Sequence, residues 1–373
     1  MKLFDVYPLF DIEPVKAEGS KVWDKNGVEY LDLYGGHAVI SIGHSHPHYV
    51  KKISEQLQKI GFYSNSVQIK LQQELADKLG ELSGCNDYQL FLCNSGAEAN
   101  ENALKLASFH TGKKKVISFS KGFHGRTSLA VAATDNANIW APVNLTDNIV
   151  ILPFNDEQAL KEAMSDDVCA VIVEGIQGLG GVEIPTESFL KEIQTLCKQH
   201  NALMILDEVQ SGYGRSGKFF GYQYTDVKPD IISVAKGMGN GFPIGGILVA
   251  PHIKPKHGML GTTFGGSHLA CSAAIAVLDV IKEENLLDNS AKMGQYLMDA
   301  VKDIKGVKEV RGLGLMVGIE LDGPCAEVRG KIIKEHKIFT GSSSNKNVLR
   351  ILPALNVTKE DIDKFVSAFK NAI

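Results

Sequence analysis

Four short segments hold the residue types that chemistry needs. Asn94-Ser95-Gly96-Ala97-Glu98-Ala99-Asn100 follows an apolar run and opens a helical pattern. Small residues there leave backbone N–H groups free to face an anion, and the helix dipole adds to the attraction. The same segment also reads as a plain helix start capped by Asn94 or Ser95. In Leu206-Asp207-Glu208-Val209-Gln210 an apolar run ends in two acids. Burying an acid is costly without a partner, so Asp207 binds a cation, pairs with a protonated base, or serves in a salt bridge or cap. Ser233-Val234-Ala235-Lys236-Gly237-Met238-Gly239 sets a lysine at the end of an apolar strand, before flexible glycines. Desolvation favours the neutral, nucleophilic amine that Schiff-base chemistry uses. The plainer alternative is a surface lysine on a turn. Gly122-Phe123-His124-Gly125-Arg126 combines an aromatic ring, an imidazole and a guanidinium, or is a loop with a structural arginine.

These segments need a scaffold that brings strand ends together, and the chain predicts one. Strands are expected at Tyr88–Cys93, Lys115–Phe119, Cys169–Val173, Leu203–Leu206, Ile231–Val234 and Gly246–Val249. Helices are expected over 47–61, 68–82, 187–199, 269–283, 289–302 and from Lys359, with one more through Ala99, Ala103, Leu104 and Ala107. Alternating helices and buried, unpatterned strands imply a mostly parallel α/β sheet covered on both faces. Ligands of such sheets bind beyond the carboxyl ends of the strands, where all four segments lie. Asn26-Gly27 between Val22-Trp23-Asp24 and Glu29-Tyr30-Leu31 predicts a hairpin. Strand signals at Gly314–Leu321 and Val348–Ile351 mark a smaller α/β unit at the C-terminus. An anion cradle, a buried acid and, 29 residues later, a lysine follow the order expected of a pyridoxal-phosphate site. They supply phosphate donors, a carboxylate for the pyridine nitrogen and an amine for the aldehyde.

Composition excludes other classes. The chain has 373 residues, 44% hydrophobic and 22% charged, with a net charge of −4. That is ordinary for a folded globular protein and gives no basic footprint for nucleic acid. No uninterrupted apolar stretch reaches a membrane span, and the first eight residues, with Asp5 among them, lack the apolar core of a signal peptide. None of the six cysteines has C-x-x-C spacing, so a cytoplasmic protein with reduced thiols is expected. His44, His46 and His48 alternate, but no metal is expected. Gly178-Leu179-Gly180-Gly181 lacks the rest of a dinucleotide loop.

The chain resembles class III (subgroup II) aminotransferases of the fold-type I pyridoxal-phosphate group, and within them the acetylornithine/succinylornithine aminotransferase family. The resemblance covers nearly the whole sequence. Besides the four segments it rests on Gly43-His44-Ser45-His46-Pro47, Glu174 to Val182, the extension of the Asp207 segment to Gly212, and Thr262-Thr263-Phe264-Gly265-Gly266. It implies that Lys236 forms the Schiff base with pyridoxal 5'-phosphate and later moves the proton. It implies that Asp207 pairs with the pyridine nitrogen, that Gln210 meets the ring hydroxyl, and that Val209 and Phe123 sandwich the ring. Ser95, Gly96 and Ala97 would hold the phosphate, with Thr263 reaching it across a homodimer interface. Arg126 and Arg350 would clamp substrate carboxylates, and His37 would stand at the mouth of the site. Two departures stand out. Glu174-Gly175-Ile176-Gln177-Gly178-Leu179 replaces the usual Glu-Pro-Ile-Gln-Gly-Glu, and Ser267-His268 replaces a frequent Asn-Pro.

The expected architecture is therefore a fold-type I transferase. Residues 1–45 would pack with the small domain, 46–265 form the large cofactor-binding domain, and 266–373 form the small domain. The expected reaction moves the δ-amino group of an N-acylornithine, acetyl or succinyl, to 2-oxoglutarate in arginine biosynthesis. Alternatives within the class are ornithine δ-aminotransferase and 4-aminobutyrate aminotransferase. A nicotinamide-dependent oxidoreductase would leave Lys236 and Asp207 without a task, and a non-catalytic binding protein would not need them.

Overall fold

The computed structural model describes residues 1–373 and arranges them around three sheets. In chain order the strands are β1 (Pro14–Glu18), β2 (Lys21–Asp24), β3 (Glu29–Asp32), β4 (Gln89–Cys93), β5 (Lys115–Phe119), β6 (Ile149–Leu152), β7 (Val168–Glu174), β8 (Leu203–Asp207), β9 (Ile231–Val234), β10 (Gly245–Val249), β11 (Val307–Leu313), β12 (Met316–Leu321), β13 (Ile338–Phe339), β14 (Gly341–Ser342) and β15 (Val348–Ile351).

The central sheet runs β4-β10-β9-β8-β7-β5-β6. It is α/β and mostly parallel, as expected; β10 alone runs against its neighbours β4 and β9. The reason is connection length. Parallel neighbours are joined by crossovers, but β9 and β10 are linked only by residues 235–244, so the chain turns back beside itself. Lys236 sits at the start of that return loop.

Side-chain alternation explains the coverage of both faces. Ile117, Val171, Val173, Met204 and Leu206 join one core with Phe189, Leu190 and Ile193 of the helix Glu187–Gln199. Their strand neighbours Val116, Ala170, Ile172, Leu203 and Ile205 join another with Ala103, Leu104 and Ala107 of the helix Gly96–Thr111. The interior strands β7 and β8 are buried along their full length and both end in an acid, Glu174 and Asp207, in register with each other.

The predicted Asn-Gly hairpin is β2–β3, with Val22 opposite Tyr30. Its last strand pairs in parallel with β13, Leu31 facing Ile338. Beyond it, Gly35, Gly36, His37 and Ala38 have φ of 55°, 56°, 69° and 62°, a left-handed turn. A third sheet, β11-β12-β15-β14, is antiparallel.

Several expectations change in detail. The strand signal at 314–321 is one arm of a hairpin: Gly314 lies in the turn with φ 54°, and β11, rich in Lys, Glu and Arg and half-exposed, precedes it. The predicted helix at 289–302 spans Leu286–Val301. The strand β6, a short apolar run, lies outside the expected strands, and the helices Glu157–Ala163 and Ala326–His336 carry too little apolar periodicity to be predicted; each helix buries at most two side chains.

Candidate active site

The carboxyl ends of β4, β5, β7, β8 and β9 open on one cavity of about 390 Å³. Its wall contains Ser95, Gly96, Ala97, Phe123, Arg126, Asp207, Val209, Gln210 and Lys236, nine of the positions singled out in the sequence. Val39, Asn100, His124, Glu174, Leu179, Phe242 and Ile244 are among the other residues that line it.

The helix Gly96–Thr111 aims its N-terminus at the cavity. Ser95 is its N-cap, with Oγ accepting from the Glu98 amide at 3.2 Å. The amides of Gly96 and Ala97, in the first turn, have no intrahelical acceptor and remain available to an anion. A Cβ added to Gly96 would lie 2.7 Å from Cγ1 of Val209, so glycine keeps this space open between the helix start and the β8 loop.

Asp207 is 3% exposed and tightly held. Its Oδ2 accepts from His124 Nδ1 at 2.8 Å and from Asn100 Nδ2 at 2.7 Å, while Oδ1 accepts only from the Val209 amide, at 3.0 Å. Asn100 is fixed in turn by Ser233, whose Oγ donates to its Oδ1 at 2.6 Å. Burial opposes protonation of His124, but the hydrogen bond and charge of Asp207 raise its pKa above the ordinary value. This donor set leaves one carboxylate oxygen open to a further N–H.

Lys236 follows β9 with φ 45°, a strained angle for a side-chain-bearing residue. Burial of its amine lowers the pKa; the charges of Asp207 and Glu174 oppose that shift, and Arg350 adds to it. The neutral amine is thereby favoured. An amine of this kind, an acid with a free oxygen and an anion cradle fit what pyridoxal phosphate requires.

The two candidate clamps differ. Arg126 is exposed at the rim. Arg350 is 2% exposed behind Gln210; its Nη1 donates to Gln210 Oε1 at 3.3 Å and its Nε to Ser342 O at 2.6 Å. Gln210 Nε2 donates to the His37 carbonyl at 3.3 Å, and the His37 ring meets Tyr34 Oη at 2.5 Å. Burial, with Lys236 and Arg350 nearby, lowers the pKa of His37. Thr263 is exposed and lies outside the cavity of the single chain. His44, His46 and His48 face three different carboxylates, Asp32, Glu284 and Asp279, at 2.9, 2.8 and 3.1 Å.

Sequence reading assigned no role to Asn100, Ser233 or Glu174. For Asn100 a signal existed: an asparagine inside a helix is unfavourable unless its side chain has a partner. Glu174 carries the same sign as Asp207, an acid closing a buried apolar run; Ser233 gives none, because its partner Asn100 lies on a helix distant in sequence.

The family model for class-III aminotransferases matches residues 5–373. The chain is 41% identical to the acetylornithine aminotransferase of Bacillus subtilis over 378 residues, covering 100% of this chain and 97% of that protein. It is 41% identical to that of Methanothermobacter thermautotrophicus over 366 residues, covering 96% and 92%. Among solved structures, the ornithine aminotransferase of Toxoplasma gondii, with pyridoxal phosphate at partial occupancy in its active site, superposes with a TM-score of 0.90 at 30% identity, covering 98% of this chain and 90% of that one. The acetylornithine aminotransferase of Elizabethkingia anophelis gives 0.84 at 30%, covering 98% and 94%.

Proposed function

Because the chain belongs to the class-III aminotransferase family and is a pyridoxal-phosphate-dependent transaminase, we propose that it moves the δ-amino group of an N-acylornithine to 2-oxoglutarate. The products are an N-acylglutamate semialdehyde and glutamate, a step of arginine biosynthesis. The observation that carries this reading is full-length similarity to acetylornithine aminotransferases, joined to a single cavity lined by the lysine, the acid and the anion cradle.

When bound, the cofactor supplies an aldehyde that exchanges amines and a ring that accepts electrons. The chain does the rest. Lys236 Nζ, whose neutral form is favoured by burial, would anchor the aldehyde and is placed to move a proton to and from the substrate carbon. Asp207 Oδ1 would accept from the ring N–H and keep it protonated, while His124 and Asn100 hold the other oxygen still. Gly96 and Ala97 would donate their amides to the phosphate, beside Ser95. Val209 and Phe123 would flank the ring, and Gln210 would serve its hydroxyl. Arg126 and Arg350 hold substrate carboxylates through the planar fork of guanidinium. Apolar surface around Val50, Leu57, Ile60, Phe62 and Phe264 supports a homodimer in which a second copy brings Thr263 to the phosphate. The units 1–45, 46–265 and 266–373 and a cytoplasmic location belong to the same proposal. No helix is long and apolar enough to cross a membrane.

The likeness to ornithine aminotransferase makes free ornithine the competing substrate. The test compares kcat/KM for N-acetylornithine, N-succinylornithine and ornithine with 2-oxoglutarate as acceptor. An acylated amine should win, and a lead for free ornithine would overturn the assignment. Lys236→Ala should fold, lose the visible band of lysine-bound cofactor and lose turnover. Activity above a few per cent of wild type without added amine would remove Lys236 from its role.

A further inference from the structure

Glu174 is 6% exposed in the cavity wall, yet no lysine, arginine or histidine lies within ion-pair distance of it. A carboxylate in such a place is expensive unless its oxygens have donors. Both do, and the donors belong to different loops. Oε1 accepts from the Phe123 amide at 2.9 Å, and Oε2 accepts from the Gly178 amide at 3.0 Å. The first loop follows β5 and carries Phe123 and Arg126. The second follows β7 and carries Leu179. Glu174 itself ends β7, one strand from Asp207 and in register with it, so its backbone is anchored in the sheet while its side chain spans the two loops.

We propose that Glu174 is a positioning residue that locks the ring-flanking loop of Phe123 to the substrate loop of Leu179, so that cofactor hold and side-chain selection change together. The proposal rests on the cofactor site described above. A carboxylate suits the task because it offers two acceptors and no donor. Glutamine keeps the reach but turns an NH₂ group toward one of the two amides. Aspartate keeps the charge and both acceptors but is one methylene short. Two further ties join the loops at their base, where Gln177 Nε2 donates to Ser120 O at 2.9 Å and Lys121 Nζ pairs with Glu183 at 3.0 Å. They do not touch the cavity-lining residues, and they provide the rival explanation.

The experiment uses Glu174→Gln and Glu174→Asp with two readouts. In the first, hydrogen exchange follows segments 122–127 and 176–181 without added cofactor, at a pH above about 7 so that Glu174 is ionised. Each variant should speed exchange in at least one segment about tenfold, in line with loss of a hydrogen bond to a charged group. In the second, release of pyridoxal phosphate is followed by loss of the visible band, in a double-mutant cycle of Phe123→Leu and Leu179→Ala. With Glu174 the two substitutions should be non-additive by about threefold or more; in either Glu174 variant they should add to within about twofold. Retained coupling in the variants would assign the tie to the contacts of Gln177 and Lys121 and overturn the proposal. Wild-type behaviour of Glu174→Asp in both readouts would reduce Glu174 to a charge and also overturn it. If the wild-type protein takes up no pyridoxal phosphate, the site assignment fails instead, and hydrogen exchange still decides the clamp.

Discussion

Leu179 brings an apolar side chain to a place where an acid would change the electrostatics of the site. Its carbonyl accepts from the Ser344 amide at 2.9 Å, and Arg350 donates to Ser342 two residues away, so both hang on the same short segment. Arg350 is buried with no carboxylate in ion-pair range; its polar partners are Gln210 and a backbone carbonyl. Burial lowers its pKa, while Tyr34 and Glu174 oppose the shift. An unopposed buried guanidinium favours a ligand that brings its own negative charge. N-succinylornithine should therefore be used at least as well as N-acetylornithine. Leu179→Glu should shift that ratio toward acetyl by about tenfold, since one charge in a partly buried site is worth more than about 1 kcal/mol. A tenfold acetyl preference in wild type, or an unchanged ratio in the variant, would refute this.

At the scale of elements, the helix Leu286–Val301 packs on the hairpin β11–β12 through a glycine contact. A Cβ at Gly294 would run into the backbone of Gly314, which needs glycine for its own φ of 54°. Gly294→Ala pits two effects against each other. Alanine gains about 1 kcal/mol of helix propensity over glycine. Overpacking against rigid backbone costs about 1–3 kcal/mol, and here no flexible side chain can yield. The clash should win, and the melting temperature should fall by several degrees; a rise would mean that the helix slides freely. The element-level reading of the sequence worked best where periodicity and caps coincide. The helix Glu187–Gln199 starts at the Thr186 cap, as its pattern predicts. It worked least for β11, whose charged, half-exposed residues resemble a loop.

Across the molecule, two buried acids give folding a pH dependence. Burial raises the pKa of Glu208 from 4.5 to about 7, against the pull of Ser211 Oγ and the amides of Gly221 and Tyr222. Burial likewise raises Glu174 to about 7. Between the unfolded and folded values the native state holds more protons, so stability falls as pH rises through that window and then levels. His124, also raised, loses its contribution in the same direction as pH rises. Urea midpoints should therefore decline from pH 5 to 7.5, and Glu208→Gln should flatten the slope. An unchanged slope would show that the Glu208 carboxyl does not titrate in this range. Assembly offers a second whole-molecule test. Phe264 is 62% exposed and its ring centroid lies 5.3 Å from that of Phe62, beside Thr263. Phe264→Asp should yield monomers in light scattering and weaken cofactor retention. A persisting dimer with normal retention would refute the proposed interface.

The sequence by itself determined what is local: the Asn-Gly hairpin, the caps, the buried strands, and the order of anion cradle, acid and lysine. Each depends on neighbours a few residues away, through turn geometry, periodicity and desolvation. Tertiary structure decided what depends on which strands lie side by side. The short return loop placed β10 antiparallel between β4 and β9 and set Lys236 at its start. Asn100 reached Asp207 from 107 residues away. Glu174 met the loop after β5 as well as its own because β7 lies beside β5 in the sheet. The Asn100 and Glu174 contacts cannot be read from spacing along the chain, since a hydrogen bond between distant residues is fixed only when packing brings donor and acceptor within about 3 Å.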